Sequence, residues 1–196
     1  MILLSVEFKE TAINFFSKNG YSGTSVRDIT SSLAITPAAL YAHFGSKEEL
    51  FLKVFTEGWE EILKEVKDII IISEEKPYKD ILNDIYRHYV TAYIKDKQRT
   101  IFLLRSVMFP PDELREKVLN IFQKSSSEFN THIQEIFRKC IEEGIIKDFS
   151  IQEHEDIFYK FVDCFLFEIT AINKVITSDE IEKHWMFYWT LIENKR

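Results

Sequence analysis

Between Asp28 and Glu48 the chain carries no acidic residue, while Thr36, Tyr41, His43 and Lys47 all fall inside that interval. A surface built from residues 29–47 can approach phosphates without direct carboxylate repulsion. Catalytic chemistry has far less to work with. A di-iron carboxylate bundle needs paired Glu-x-x-His. The residues three before the five histidines are Leu40, Ile85, Phe129, Ile151 and Ile181, and none is acidic. There is no HExxH, no P-loop and no Gly-x-Ser-x-Gly. The "EHED" run at 153–156 is expected to be a solvated helix start and not a metal site. No catalytic residue, metal or cofactor is expected.

The elements that must hold this interval are helical. In "TPAALYAHFGSKEEL" (36–50), Thr36 can cap a helix opened by Pro37, a residue suited to the first helical position. Gly45 ends that helix of about two turns. Ser46 with Glu49 forms the next capping box. Upstream, Ser25 and Asp28 form another. Val6/Phe8, Ala12 and Phe15/Phe16 make an apolar stripe that stops at Gly20. Further helices are expected at 46–72, 77–96, 97–109, 112–143, 151–174 and 178–194, the last capped by Ser178, with breaks at 73–77, at Pro110-Pro111 and at Gly144. No strand pattern or repeat stands out. The fold expected is all-α, with about nine helices.

The chain has 196 residues, 45 % of them hydrophobic, and a net charge of −7. Residues 1–53 hold five basic and five acidic groups, so the whole negative balance lies in 54–196. The apolar run Trp185–Trp189 is far too short to cross a bilayer, and the first residues carry no basic stretch or cleavage site. Cys140 and Cys164 form no CxxC, so reduced thiols in the cytoplasm are expected.

Three short helices, a tight turn and a two-turn helix match a helix-turn-helix unit, with Pro37–Phe44 as the second helix of the pair. At this point "GYSGTSVRDITSSLAITPAALYAHFGSKEELFLKVF" resembles the signature of the tetracycline-repressor (TetR) family of transcriptional regulators, in Gly-Tyr, Thr-Ser, Leu-Tyr-x-His-Phe and Lys-Glu-Glu-Leu pieces that fall in order. The resemblance covers about Ala12 to Phe55. It implies a DNA-binding domain at 1–45 and an effector-binding and dimerisation domain at 46–196. It implies that Lys47 and the backbone N–H groups around it hold a phosphate, and that Thr24 and Ser25 do the same one helix earlier. It places Tyr41 and His43 against DNA backbone or bases. The sequence departs from the family pattern at Ala34, where glycine is common, and at Pro37, Ala38 and Ala39, where longer polar side chains are common. It also has no basic arm before the first helix. With few hydrogen-bonding groups available, readout is expected from Thr36, Ala38 and Ala39 packing on thymine methyls of an A·T-containing operator.

From Ile157 to Ile172, twelve of sixteen residues are apolar or aromatic, and the last helix carries Ile181, Trp185, Met186, Phe187, Tyr188, Trp189, Leu191 and Ile192. Helices apolar nearly all round need cover on two sides. The resemblance implies that the last two helices pair with their symmetry mates in a homodimer on a near-palindromic operator. Phe158, Phe165, Ile169, Trp185, Tyr188 and Trp189 are the interface expected. The middle helices would then sense a small lipophilic effector. Tyr86, Tyr89 and Tyr93 line one helix side; Phe102, Arg105 and Phe109 share a face of the next; Phe122 and Phe129 lie on the third; Glu168 falls on the stripe Phe161–Phe165–Ile172. For each residue singly, core packing is the competing reading. Glu168 would attract a cation and Arg105 an anion, and the sequence leaves both open. A helical ligand-binding protein whose helix-turn-helix binds no DNA is the rival reading.

Overall fold

A computed structural model describes residues 2–73 and 75–195; Glu74, inside the break expected at 73–77, lies outside the described residues, as do Met1 and Arg196. The described chain forms nine α-helices: α1 (Ile2–Asn19), α2 (Val26–Ser32), α3 (Pro37–Phe44), α4 (Lys47–Ile72), α5 (Tyr78–Lys95), α6 (Lys97–Met108), α7 (Arg115–Glu142), α8 (Ile151–Thr170) and α9 (Ser178–Ile192). A single 3-10 turn, Asp112–Leu114, precedes α7 after the paired prolines. No β-strand occurs among the described residues; one isolated bridge joins Ile146 to Glu193. No described helix is long and apolar enough to cross a membrane.

The helices pack into two compact units. The first contains Met1–Ile62 and Gln98–Ser125, the second Leu63–Lys97 and Ser126–Arg196, so α4 and α7 each contribute to both. Phe8, Ala12 and Phe16 recur every four residues along α1 and are buried in the first unit. They meet Ile29 of α2, Leu40 of α3, the start of α4 and Phe102 of α6. Phe16 and Phe51 stand edge to face at 5.1 Å, and Phe51 and Phe102 at 5.5 Å. The second unit is built on α5, α8 and α9 with the later part of α7. Trp185, Tyr188, Tyr86, Phe137 and Phe158 are its largest fully buried side chains. Its carboxyl end is pinned by Lys147 N–H donating to Ile192 O (2.8 Å) and Asn194 N–H donating to Ile145 O (2.9 Å).

Several expected termini move. The cap of α9 is Thr177, whose hydroxyl accepts from Glu180 N–H while the Glu180 carboxylate accepts from Thr177 N–H; Ser178 is already helical. Helix α8 stops at Thr170 and not near 174, with Asn173 in the left-handed region at φ 58°. Thr36 occupies the cap position of α3 with no side-chain bond to the helix. Ser46 completes only half of its box: Glu49 N–H donates to Ser46 Oγ (3.0 Å), while Ser46 N–H turns back to Phe44 O (2.8 Å).

Candidate nucleic-acid interface

Helix α2 is fixed at both ends. Ser25 Oγ accepts from Asp28 N–H (3.1 Å), and Asp28 Oδ2 accepts from Ser25 N–H (2.7 Å). Those bonds hold the Asp28 carboxyl below the usual carboxylate range. At the other end Ile35 N–H reaches Thr30 O (3.0 Å) and Ala34 N–H reaches Ser31 O (3.1 Å), the two bonds of a Schellman motif. The motif demands a left-handed residue at Ala34, and Ala34 takes φ 54°. The strain expected of a non-glycine residue there is present, about 1–2 kcal/mol. Gly45 ends α3 at φ 73°, where a β-carbon would lie 2.7 Å from Glu49 Oε2.

Helix α3 presents a small, uncharged outer face. Leu40 is buried, while Ala38, Tyr41 and Ala42 are exposed, and so is Thr36 just before the helix. Tyr41 leaves 49 % of its surface open. Pro37 is half-buried, and Ala39 packs on the core of the first unit, so its methyl is only partly available. His43 does not share the side of Tyr41. Residues two apart on a helix point nearly opposite ways, and the His43 ring lies 5.6 Å from Phe8, in a groove with Lys9, Glu49 and Lys53.

Two residues expected at phosphates are committed to the protein itself. Thr24 is buried, and its hydroxyl donates to Gly20 O (2.8 Å). Lys47 Nζ donates to Tyr21 O and Thr24 O, both at 3.0 Å, and sits 4.0 Å from the Tyr21 ring centroid. Burial pushes its pKa down. The ammonium therefore ties the start of α4 to the loop between α1 and α2. Replacing Lys47 with methionine is expected to lower stability by about 1–3 kcal/mol, because two carbonyls lose a charged donor. Thermal melting checks this; an unchanged midpoint would return Lys47 to a purely phosphate-facing role.

The remaining cations divide clearly. Lys9 and Lys53 both pair with Glu57 (2.8 and 3.2 Å), and Lys117 neutralises Glu48 (2.5 Å). Arg27 is exposed on α2 with no hydrogen bond or ion pair among the described residues, beside exposed Ser25, Ser31 and Ser32. Sequence reasoning missed Arg27; the available signal was that it is the only arginine in residues 1–53.

The nine ligand candidates fall in both units. In the first, Phe102 is core, and Phe122 packs edge to face on Trp59 at 5.0 Å. Arg105 caps the carboxyl end of α1 by donating to Lys18 O (2.9 Å) and Ser17 O (3.3 Å), a favourable place for a cation. Phe109 is 74 % exposed. These four serve packing, capping or open surface, and Arg105 and Phe109 also line one small cavity with Gly20 and Tyr21. In the second unit, Tyr86 is core, with its hydroxyl 2.5 Å from His184 Nδ1. Glu168 pairs with Lys174 at 2.8 Å. Tyr89, Tyr93 and Phe129 stay together, Tyr89 meeting Phe129 edge to face at 5.5 Å.

All six residues expected at a dimer interface (Phe158, Phe165, Ile169, Trp185, Tyr188 and Trp189) are buried inside this chain. They are the inward stripes of α8 and α9. The outward stripe is a different set: Phe167, Met186, Phe187 and Leu191 are exposed. Of the two cysteines, Cys140 is buried and Cys164 lies exposed on α8. Among the described residues no group of histidine, cysteine and carboxylate side chains is placed to hold a metal.

Comparison with known proteins agrees with this architecture. Residues 10–54 match the family described as bacterial regulatory proteins, tetR family. The chain is 28 % identical over 65 % of its length to the biofilm operon icaADBC HTH-type negative transcriptional regulator IcaR of Staphylococcus epidermidis, covering 60 % of that protein. It is 28 % identical over 69 % of its length to the HTH-type transcriptional repressor DhaR of a Mycobacterium species, covering 64 % of it. The chain thus spans somewhat under two thirds of these relatives. Its fold matches the ketosteroid transcriptional regulator KstR2 of Mycobacterium tuberculosis with a TM-score of 0.77 at 16 % identity, over 97 % of this chain and 95 % of that one.

Proposed function

We propose that the chain, of which residues 10–54 match the tetR family of bacterial regulatory proteins, is a sequence-specific DNA-binding transcriptional regulator, a repressor that a small lipophilic effector releases from its operator. The observation that carries this is the outer face of α3. Thr36, Ala38, Tyr41 and Ala42 stand open on the second helix of a helix-turn-helix, and no carboxylate occurs between Asp28 and Glu48. In this reading residues 1–45 bind DNA, while 46–196 sense and pair. Ala38 and Thr36, with the free edge of Ala39, touch thymine methyls. Tyr41, Ser25 and Arg27 hold phosphates beside the amino end of α4. A homodimer forms through Phe167, Met186, Phe187 and Leu191, and sets two copies of α3 on successive major grooves of a near-palindromic site. Effector binding favours a dimer in which that spacing is lost.

The test is selection of duplexes by the purified protein at stated salt, followed by fluorescence anisotropy. Saturable binding to an A·T-containing palindrome is expected, with a salt slope of several phosphates, and Tyr41→Ala is expected to weaken it roughly tenfold. No preference over random DNA would sink the proposal in favour of a helical ligand-binding protein, and G·C-only half-sites would sink the methyl readout.

A further inference from the structure

The carboxyl end of α9 is held by one short loop, and that loop is tied to α8 by the ring of a buried histidine. Residues 143–150 join α7 to α8, and 147–150 within them are exposed. Lys147 meets the end of α9 twice: its backbone N–H donates to Ile192 O (2.8 Å) and its Nζ to Leu191 O (2.7 Å). Asn194 closes the other side, with its N–H donating to Ile145 O (2.9 Å) and its Nδ2 to Gly144 O (3.3 Å). The tie to α8 is His154, in the first turn of that helix, whose Nε2 lies 2.8 Å from Lys147 O. A carbonyl only accepts, so Nε2 carries the proton of the neutral ring and Nδ1 is left as an acceptor.

The ring is 0 % exposed. Phe137 of α7 stacks on it at 5.4 Å, and Phe149 of the loop lies against it at 5.4 Å. Its Nδ1 is buried without a hydrogen-bond partner. A proton added there creates a charged donor with no acceptor, between two phenyl rings, at the amino end of a helix where a cation is disfavoured. Burial accordingly pushes the His154 pKa down, against the smaller opposing effects of the Lys147 carbonyl and Glu153. The charged groups around it are committed elsewhere or open to water. On α8, Glu153 accepts from Ser150 N–H (2.8 Å) and Ser150 Oγ (2.6 Å), and Glu155 accepts from Gln134 Nε2 (2.7 Å). On α7, Arg138 pairs with Glu135, Cys140 is a buried thiol, and Glu142 is exposed. In the loop, Glu143 and Asp148 are exposed; at the tail, Glu193 pairs with Lys195 (3.7 Å).

We infer that His154 is an acid-operated latch: with a neutral ring it fastens loop 143–150 and, through it, the carboxyl end of α9, and a proton on Nδ1 drives the ring into water and frees both. The latch needs neither DNA nor an effector, so it stands apart from the regulator reading. It touches that reading at Leu191, whose carbonyl Lys147 holds and whose side chain belongs to the stripe proposed for pairing. A released histidine charges near pH 6.5, while the seated ring resists charging until the pH is lower. The closed latch is therefore at full strength above about pH 6.5 and weakens as the pH falls below it.

The test is amide hydrogen exchange of the full chain at about pH 7.5 and about pH 5.5, the range that histidine titration spans, read as protection factors so that the intrinsic pH dependence of exchange cancels. Protection of the Lys147 and Asn194 N–H groups is expected to fall roughly three- to tenfold on acidification. His154→Gln is uncharged and keeps an amide donor for Lys147 O, and it is expected to abolish most of that fall. His184→Gln is expected to keep it, because His184 bonds Tyr86 and lies outside the latch. Ring-proton NMR of the parent chain checks the same point without a substitution: His154 should titrate with a midpoint below about 6.5. A fall under about twofold in the parent, an equal fall in His154→Gln, a fall abolished by His184→Gln alone, or a His154 midpoint at or above about 6.5 would overturn the inference.

Discussion

Glutamate at position 38 is expected to abolish specific DNA binding while leaving the fold intact. Ala38 is an exposed residue in the first turn of α3, on the face proposed to enter the major groove. Glutamate is a good helix former, and a negative side chain near a helix amino end is favourable, so stability should move by no more than about 0.5 kcal/mol. On DNA the same carboxylate faces phosphates in a region that otherwise lacks acidic groups. Like charges brought together at an interface cost several kcal/mol, so operator affinity should fall by roughly a hundredfold or more. Ala38→Ser, matched in size and uncharged, should stay within a few-fold of the parent. Anisotropy on the selected palindrome, paired with thermal melts, gives both numbers. Equal affinity for the Glu variant would mean that this face of α3 does not meet DNA.

The largest loss of stability should come from Trp185→Ala. The indole is 1 % exposed and lies among Tyr86, Tyr188 and Trp189, with ring centroids 5.5, 5.3 and 5.8 Å away. Removing an aromatic side chain from a packed core costs about 3–5 kcal/mol, because neighbouring rings cannot close the void. That is a large part of a typical folding free energy. Urea unfolding followed by helical circular dichroism should show a clear drop in midpoint. Trp185→Phe should lose less, as it keeps most of the contact. A change under about 1 kcal/mol for the alanine variant would show that Trp185 is not an anchor of the second unit.

Much of the first unit was legible because its signals are local. The Ser25/Asp28 box, Pro37 at a helix start, Gly45 at a helix end and the Phe8–Ala12–Phe16 stripe each involve residues within a turn or two of one another, and each is found where its spacing places it. Ala34 was visible as an oddity for the same reason. Lys47 was not legible as a clamp, since its partners Tyr21 and Thr24 lie 26 and 23 residues away and no local rule joins them. The last two helices show a different limit. Trp185, Tyr188 and Trp189 form one stripe of α9, and Met186, Phe187 and Leu191 form the neighbouring one. Counting apolar residues reveals that two sides of the helix want cover, but not which side its own chain covers. The three tyrosines of α5 diverge for a related reason. They share a helix side, yet Tyr86 meets His184 of α9 while Tyr89 meets Phe129 of α7.

The two cysteines differ in a way that makes the protein convenient to label. A thiol reacts with alkylating reagents as its thiolate. Cys140 is buried, and that burial, with Glu143 nearby, pushes its pKa up to about 12, so at neutral pH almost none of it is in the reactive form. Cys164 is exposed on α8, the helix that also shows Phe167 to solvent. A maleimide dye or spin label therefore has one accessible attachment point on the native chain, with no engineered cysteine. That point lies on the helix proposed to meet its symmetry mate, so a single label per chain becomes a distance ruler across the pair.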